Sequence, residues 1–436
     1  MATASVPFAK LKPGPGRSPD EVEASQRARL QTALVEQVAE TGYASLTVRG
    51  LARTAGVSTR TLYRRFGTLE DCFGSTYELA MSRALRRAET AGRRDRGEQA
   101  LRAGMRELTR AIAERPEEAQ LALVDAYVSG PATRARIDLT TAAFGDLLAA
   151  ALAEVPGWTT VPPRLAQGMT AGIAHVARSR LLPSGESDRV RPARRPEPLH
   201  HQRVADHLAS WVLSLGRACP QTPPGRTGGR PDDEPRSRSW GLPRGKAGDE
   251  RQRIITTVAR LAARDGYDAL TVPRIRSDAG VSRRAFDAHF TGVEDCFLTA
   301  IETLVFSGLV AVNRLQPRNW EPGVRRFTLV LCGALARNRA LGRLVFAEIL
   351  APGLGGLRCR EHLIALVAER LCVAAPPERR PSGIEEEASV AAVWEIVQSR
   401  LSASSGGDLP RLAPMLAQVL TRPSDDRGEM QAHGLT

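Results

Sequence analysis

Ser58, Thr59, Arg60, Thr61, Tyr63, Arg64 and Arg65 stand together in the stretch AGVSTRTLYRRF, residues 55–66. These are side chains of the kind that reads a nucleic-acid duplex. Arginine pairs bidentately with guanine, and a threonine methyl meets the thymine methyl. A tyrosine hydroxyl donates to a phosphate and so fixes register. AGVSRRAFDAHF, residues 279–290, repeats the frame. It carries Ser282, Arg283, Arg284 and His289, with Asp287 where the first copy has Tyr63. Thr47 and Thr271 precede the two stretches at equal intervals. Each can cap a helix whose free N–H groups favour phosphate oxygen.

The flanking residues supply the elements that would hold these groups. Residues 22–41 have the apolar period of an amphipathic helix, with Leu30, Leu34 and Val38 on one stripe and Gly42 as its stop. Thr47 opens a short second helix from Val48 to Ala55, Gly56 supplies the positive φ of a tight turn, and Ser58 caps a third helix, Thr59–Phe66. Leu62 and Phe66, four apart, point inward and leave the polar residues outside. Two short helices joined by a glycine turn form a helix-turn-helix, whose second helix enters a major groove. An ordinary helical hairpin with a charged, solvated face has the same outline. The complete cap-turn-cap pattern favours the reading helix in the first copy.

The second copy is part of a longer duplication. Residues 42–73 align without gaps on 266–297, with 15 of 32 positions identical, among them Gly42/Gly266, Tyr43/Tyr267 and the closing Glu70–Phe73/Glu294–Phe297. Fainter echoes follow, 113–130 on 336–353 and then 171–182 on 391–402 at an offset of 220. The whole unit is therefore repeated. Between the copies, residues 217–250 are rich in Pro, Gly and Arg and read as a flexible linker; 183–201 read as a loop of the same kind. Alternating strand patterns are absent, so the fold is expected to be all-α.

Composition narrows the partners. The formal net charge is +13 over 436 residues, carried almost wholly by arginine, which favours a polyanion such as double-stranded DNA. Cys72, Cys219, Cys296, Cys332, Cys359 and Cys372 form no C-x-x-C pair and are read as reduced thiols. His175, His200, His201, His207, His289, His362 and His433 show no metal-like grouping. There is no nucleophile elbow, phosphate-cradling loop or HExxH, so no catalysis, cofactor or metal is expected. Neither a signal peptide nor a membrane span is read, and a cytoplasmic protein is expected. Asp125, Tyr127, His175 and Trp211, with Trp320, Glu348 and Trp394, are polar or aromatic residues on apolar helices. They are read as core groups rather than ligand contacts.

Residues 30–66, with L-x-x-A-L-x-x-x-V, GY-x-x-LTV, LA-x-x-AGVS-x-R-TLY and F, strongly resemble the tetracycline-repressor (TetR) family, and 250–297 resemble it more weakly. The resemblance implies a three-helix DNA-reading domain followed by a helical domain for dimerisation and a small-molecule effector. It also implies homodimers on palindromic operators, released by ligand. Family members often place a phosphate-binding lysine just after the reading helix; here that place holds Leu69 and Val293. Arg276 in place of Ala52 suggests a looser second helix pair.

The expected organisation is a tail over 1–20, a first helix-turn-helix domain over 21–73, its helical regulatory domain over 74–216 and a linker over 217–248. A divergent helix-turn-helix domain over 249–297, a second regulatory domain over 298–422 and a tail over 423–436 follow. The expected protein is a repressor whose two tandem TetR-like units pair within one chain as a pseudo-dimer on an asymmetric operator. The alternative is a homodimer of the whole chain in which only the first unit reads DNA and the second serves assembly or ligand binding.

Overall fold

The computed structural model describes residues 18–158, 160–181, 200–217, 249–402 and 409–421. Among them there is no strand, and the α-helices form two sets of nine in the same order. The first repeat runs α1 (Pro19–Thr41), α2 (Val48–Thr54), α3 (Thr59–Phe66), α4 (Leu69–Gly92), α5 (Gly97–Glu114), α6 (Pro116–Leu123), α7 (Pro131–Ala153), α8 (Pro163–Leu181) and α9 (His201–Arg217). The second runs α10 (Glu250–Asp265), α11 (Val272–Ala279), α12 (Arg283–His289), α13 (Val293–Val312), α14 (Trp320–Arg337), α15 (Arg339–Phe346), α16 (Leu354–Ala374), α17 (Gly383–Ser402) and α18 (Leu409–Thr421). No single described helix is long and apolar enough to cross a membrane.

The tail expected over 1–20 ends sooner than its last residue. Ser18 accepts from the Glu21 amide while Glu21 reaches back to the Ser18 amide, a capping box that starts α1 at Pro19. The linker expected over 217–248 begins one residue late, since Arg217 closes α9; residues 218–248, the greater part of the 183–201 loop and the 423–436 tail lie outside the described residues.

Each reading head has its own core. Leu30, Leu34, Leu51, Leu62 and Phe66 close over Phe73 and Tyr77 of α4 and Leu121 of α6 in the first. Ile254, Val258, Ile275, Phe286, Phe290 and Phe297 are the buried counterparts in the second. Burying such side chains stabilises by about 1.5–3 kcal/mol each before entropy is counted. The same edge-to-face pair locks both: Tyr43 on Phe73 at 4.9 Å and Tyr267 on Phe297 at 4.7 Å. Burial pushes the Cys72, Cys296 and Cys332 thiols up to about 12, so these thiols stay protonated.

The compact units do not follow the repeat boundary. Of the described residues, one unit takes those up to Leu152 and those within Ala177–Asp206; the other takes those within Ala153–Val176 and from His207 onward. The first three-quarters of α8 and the latter part of α9 therefore belong with the helices of the second repeat.

Candidate nucleic-acid interface

In the first repeat the turn before the reading helix is built from its own backbone. Gly56 adopts φ 60°, and the Val57 amide returns to the Ala52 carbonyl at 2.9 Å. Ser58 then caps α3, accepting from the Thr61 amide at 3.1 Å, with its hydroxyl 2.8 Å from that of Thr61. Thr47 caps α2 by accepting from the Gly50 amide at 3.1 Å. Thr59, Arg60 and Arg64 are exposed, and Tyr63 is 53% exposed although it is a large aromatic residue. Ser58, Thr47 and the half-buried Thr61 thus orient the helix starts, while Thr59, Arg60, Tyr63 and Arg64 form its outward face.

Arg65 departs from the expectation of a DNA contact. Its guanidinium turns back to α1, where it forms an ion pair with Glu23 and donates to Gln26 Oε1 at 3.1 and 3.2 Å. A planar five-donor group satisfied in this way serves as a latch. The outward charge on α3 is that of Arg60 and Arg64.

Other α1 arginines complete the hold on α3, and the sequence reading missed them. Arg27 donates to the Arg65 carbonyl at 3.3 and 3.4 Å and lies 4.6 Å over the Phe66 ring. The buried Arg29 donates to the Ala55 carbonyl and, at 2.9 Å, to that of Gly56. It sits so close that a Cβ at position 56 would lie 2.5 Å from its Nη2. A signal existed: Arg27 and Arg29 recur as Arg251 and Arg253 at the same offset of 224, upstream of the aligned block.

The second repeat keeps the scaffold and changes the surface. Thr271 and Ser282 cap α11 and α12, the Val281 amide returns to the Arg276 carbonyl at 3.1 Å, and Gly280 takes φ 62°. Arg276 stands half-buried on α11, which is complete, with Ile275 filling the core beside it. Arg251 still lies over Phe290, at 5.5 Å. Arg253 is exposed and 3.9 Å from Glu250, and nothing approaches Gly280. On the outward face Arg284 and His289 are exposed, while Arg283 lies 3.5 Å from Asp287, an exposed i,i+4 pair.

Acidic side chains behind each head tie it to the following helices. The buried Asp125 carboxyl lies near the Tyr43 amide, and Glu348 accepts from the Tyr267 amide at 3.4 Å. Burial is the main cause of a rise in the Asp125 carboxyl from 3.8 to about 6, against which the Tyr43, Gln120 and own-backbone hydrogen bonds act. Glu70 accepts from the Ala132 and Thr133 amides at 2.8 and 3.3 Å, satisfying the start of α7. The remaining polar residues singled out from sequence make core contacts as well. Arg178 lies 5.2 Å over Tyr127, Trp394 stacks 4.7 Å from Phe346, Trp211 donates to Ser389 at 2.9 Å, and Trp320 is buried. Among the described residues no three His, Cys, Asp or Glu converge as metal ligands.

Both heads match one family model, that of bacterial regulatory proteins of the tetR family, over residues 31–76 and 254–300. A curated relative, an uncharacterized HTH-type transcriptional regulator YerO of Bacillus subtilis (strain 168), is 41% identical over 68 residues. That match covers 16% of this chain and 24% of the relative, so the chain spans about a quarter of its length. A TetR family transcription regulator of Marinobacter aquaeolei VT8, solved by crystallography, aligns over 44% of this chain and 96% of its own at 24% identity. Its TM-score of 0.32 is too low to bear on the fold.

Proposed function

From a chain that belongs to the TetR family of regulators and carries that family's DNA-binding domain twice, we propose a cytoplasmic repressor that binds duplex DNA through α3. The observation that carries this reading is the outward face of α3. Arg60, Tyr63 and Arg64 project from a helix whose cap, turn and far end are all secured by other residues. Such a helix presents base-reading donors without spending entropy on ordering itself. Arg60 is the base-contacting candidate, two places after the cap, and Tyr63 the phosphate contact.

Two repeats pairing within one chain supply the two readers that a symmetric regulator takes from two subunits. Support comes from the second compact unit, where α8 and α9 of the first repeat lie against α17 of the second. The half-sites then differ. α12 neutralises Arg283 with Asp287 and lacks the tyrosine, so its phosphate contacts are fewer and the operator is asymmetric. Release by a small effector held in the helical domains follows the family pattern.

Operator affinity measured across a salt series tests the assignment. Arg60→Ala is expected to cost about 1–3 kcal/mol of specific binding, and Tyr63→Ala to lower affinity and reduce the salt slope. Unchanged affinity in both variants rejects α3 as the reader. Sedimentation of the intact protein is expected to give the 47.1 kDa of one chain; a stable mass of twice that favours whole-chain dimers.

A further inference from the structure

α8 and α17 begin 220 residues apart, at Pro163 and Gly383, the same offset that relates their later sequences. In that register Leu165, Gln167, Gly168, Met169, Gly172 and His175 correspond to Glu385, Glu387, Ala388, Ser389, Ala392 and Glu395. Contacts within the second compact unit are reciprocal in these terms. Gln167 donates to Glu395 at 3.3 Å, and His175 lies 3.8 Å from Glu387. A Cβ on Gly168 would meet the Ala392 carbonyl at 3.2 Å, and one on Gly172 the Ala388 carbonyl at 2.6 Å. In each case the first helix's early position touches the second helix's late one, and the reverse. This is the geometry of an isologous two-fold crossing.

The geometry is self-complementary, but the chemistry is not. If α17 crossed a second α17, each Glu387 would face a Glu395, bringing four carboxylates to one tight crossing. Like charges brought this close repel, and the repulsion opposes such a crossing. If α8 crossed a second α8, two partners would be lost. His207, now 3.4 Å from Glu385, would face Leu165, and the buried Trp211 indole N–H would exchange Ser389 for Met169. A buried donor left without an acceptor is likewise penalised. α18 carries neither histidine nor tryptophan, so these two contacts have no mirror image.

We infer that the α8–α17 crossing is a pairing code, in which each repeat accepts the other repeat of this chain and rejects a copy of itself. The inference deepens the one-chain pairing proposed above and rests on it. It also names what keeps two chains from joining through their second repeats: the facing Glu387 and Glu395 side chains.

The test starts from the full chain with a protease site placed within residues 218–248. After cleavage, labelled and unlabelled protein are mixed and native mass spectrometry reads which pieces associate. Complexes of one first piece with one second piece, including mixed-label ones, are expected, with self-pairs of the second piece at least tenfold scarcer. In Glu387→Gln/Glu395→Gln, a nearly isosteric change, second-piece self-pairs are expected to appear. In Gln167→Glu/His175→Glu, where α8 gains the same acidic face, the two pieces are expected to separate at concentrations at least tenfold higher than in the parent. Second-piece self-pairs as abundant as mixed pairs in the parent protein overturn the code, as does a glutamine variant that still forms none. The one-chain reading is judged separately by the uncleaved mass: a doubled mass rejects it even where the cleaved pieces pair only first with second.

Discussion

Asp125→Asn isolates one titration at the joint between the first reading head and the helices behind it. Asp125 is buried and has its carboxyl raised from 3.8 to about 6, chiefly by burial. Because the folded-state value lies above the unfolded one, the folded protein holds the proton more tightly. Stability from this group is therefore present in full below pH 3.8 and is lost as pH rises through about 6. The whole interval corresponds to roughly 3 kcal/mol, and the part between pH 4.5 and 7.5 to about 2 kcal/mol. Asparagine keeps the size and polarity of the group but does not titrate. Urea denaturation of the two proteins in parallel is the assay, since other titrations cancel in the difference. The asparagine variant should gain about 2 kcal/mol relative to the parent on going from pH 4.5 to 7.5. Profiles that stay parallel over this range would refute a raised Asp125 and the burial argument behind it.

Two comparisons probe the unequal heads. Arg29→Met removes the bonds to Ala55 and Gly56 and should destabilise the first head by about 1.5–3 kcal/mol, whereas Arg253→Met, at an exposed site, should change stability by less than about 0.5 kcal/mol; thermal unfolding of both checks this, and equal losses would show that Arg29 is no latch. Asp287→Tyr should tighten operator binding and steepen its salt dependence, because it frees Arg283 and adds a phosphate donor; an unchanged salt slope in a titration from low to high salt would place α12 away from DNA.

Much of the reading head was legible in the sequence because its determinants are local. Ser58 and Gly56 fix the start of α3, and the four-residue spacing of Leu62 and Phe66 fixes its inward face. The start of α1 was also local, in Ser18-Pro19-Asp20-Glu21, but a Pro-rich neighbourhood obscured it. Arg65 was misread for a different reason. Its position at the edge of the outer face is ambiguous by period, and its partner Gln26 is 39 residues away. The α8–α17 contact was less accessible still. The repeat offset says which residues are equivalent, but equivalence does not say which helix faces which. Only the packed chain sets Gly168 and Gly172 against the α17 backbone.

The differences between the repeats fall on one side of a physical line. Contacts that hold each head together are doubled: arginine over phenylalanine and tyrosine against phenylalanine. Contacts that stiffen or charge the reading surface are single: Arg29 on its turn, Arg65 on α1, Tyr63 standing free. Core contacts must all survive for a head to fold, since losing one costs kcal/mol out of a small total. Surface groups are under no such constraint, so the outward face of α12 can change without unfolding the domain. Two identical subunits cannot vary one reader alone, because each substitution appears in both. A chain that carries both readers can, provided its halves recognise each other as different. In the pairing proposed above, the Gln167–Glu395 and His175–Glu387 contacts would supply that recognition, and so would link the asymmetry of the pairing helices to the asymmetry of the readers.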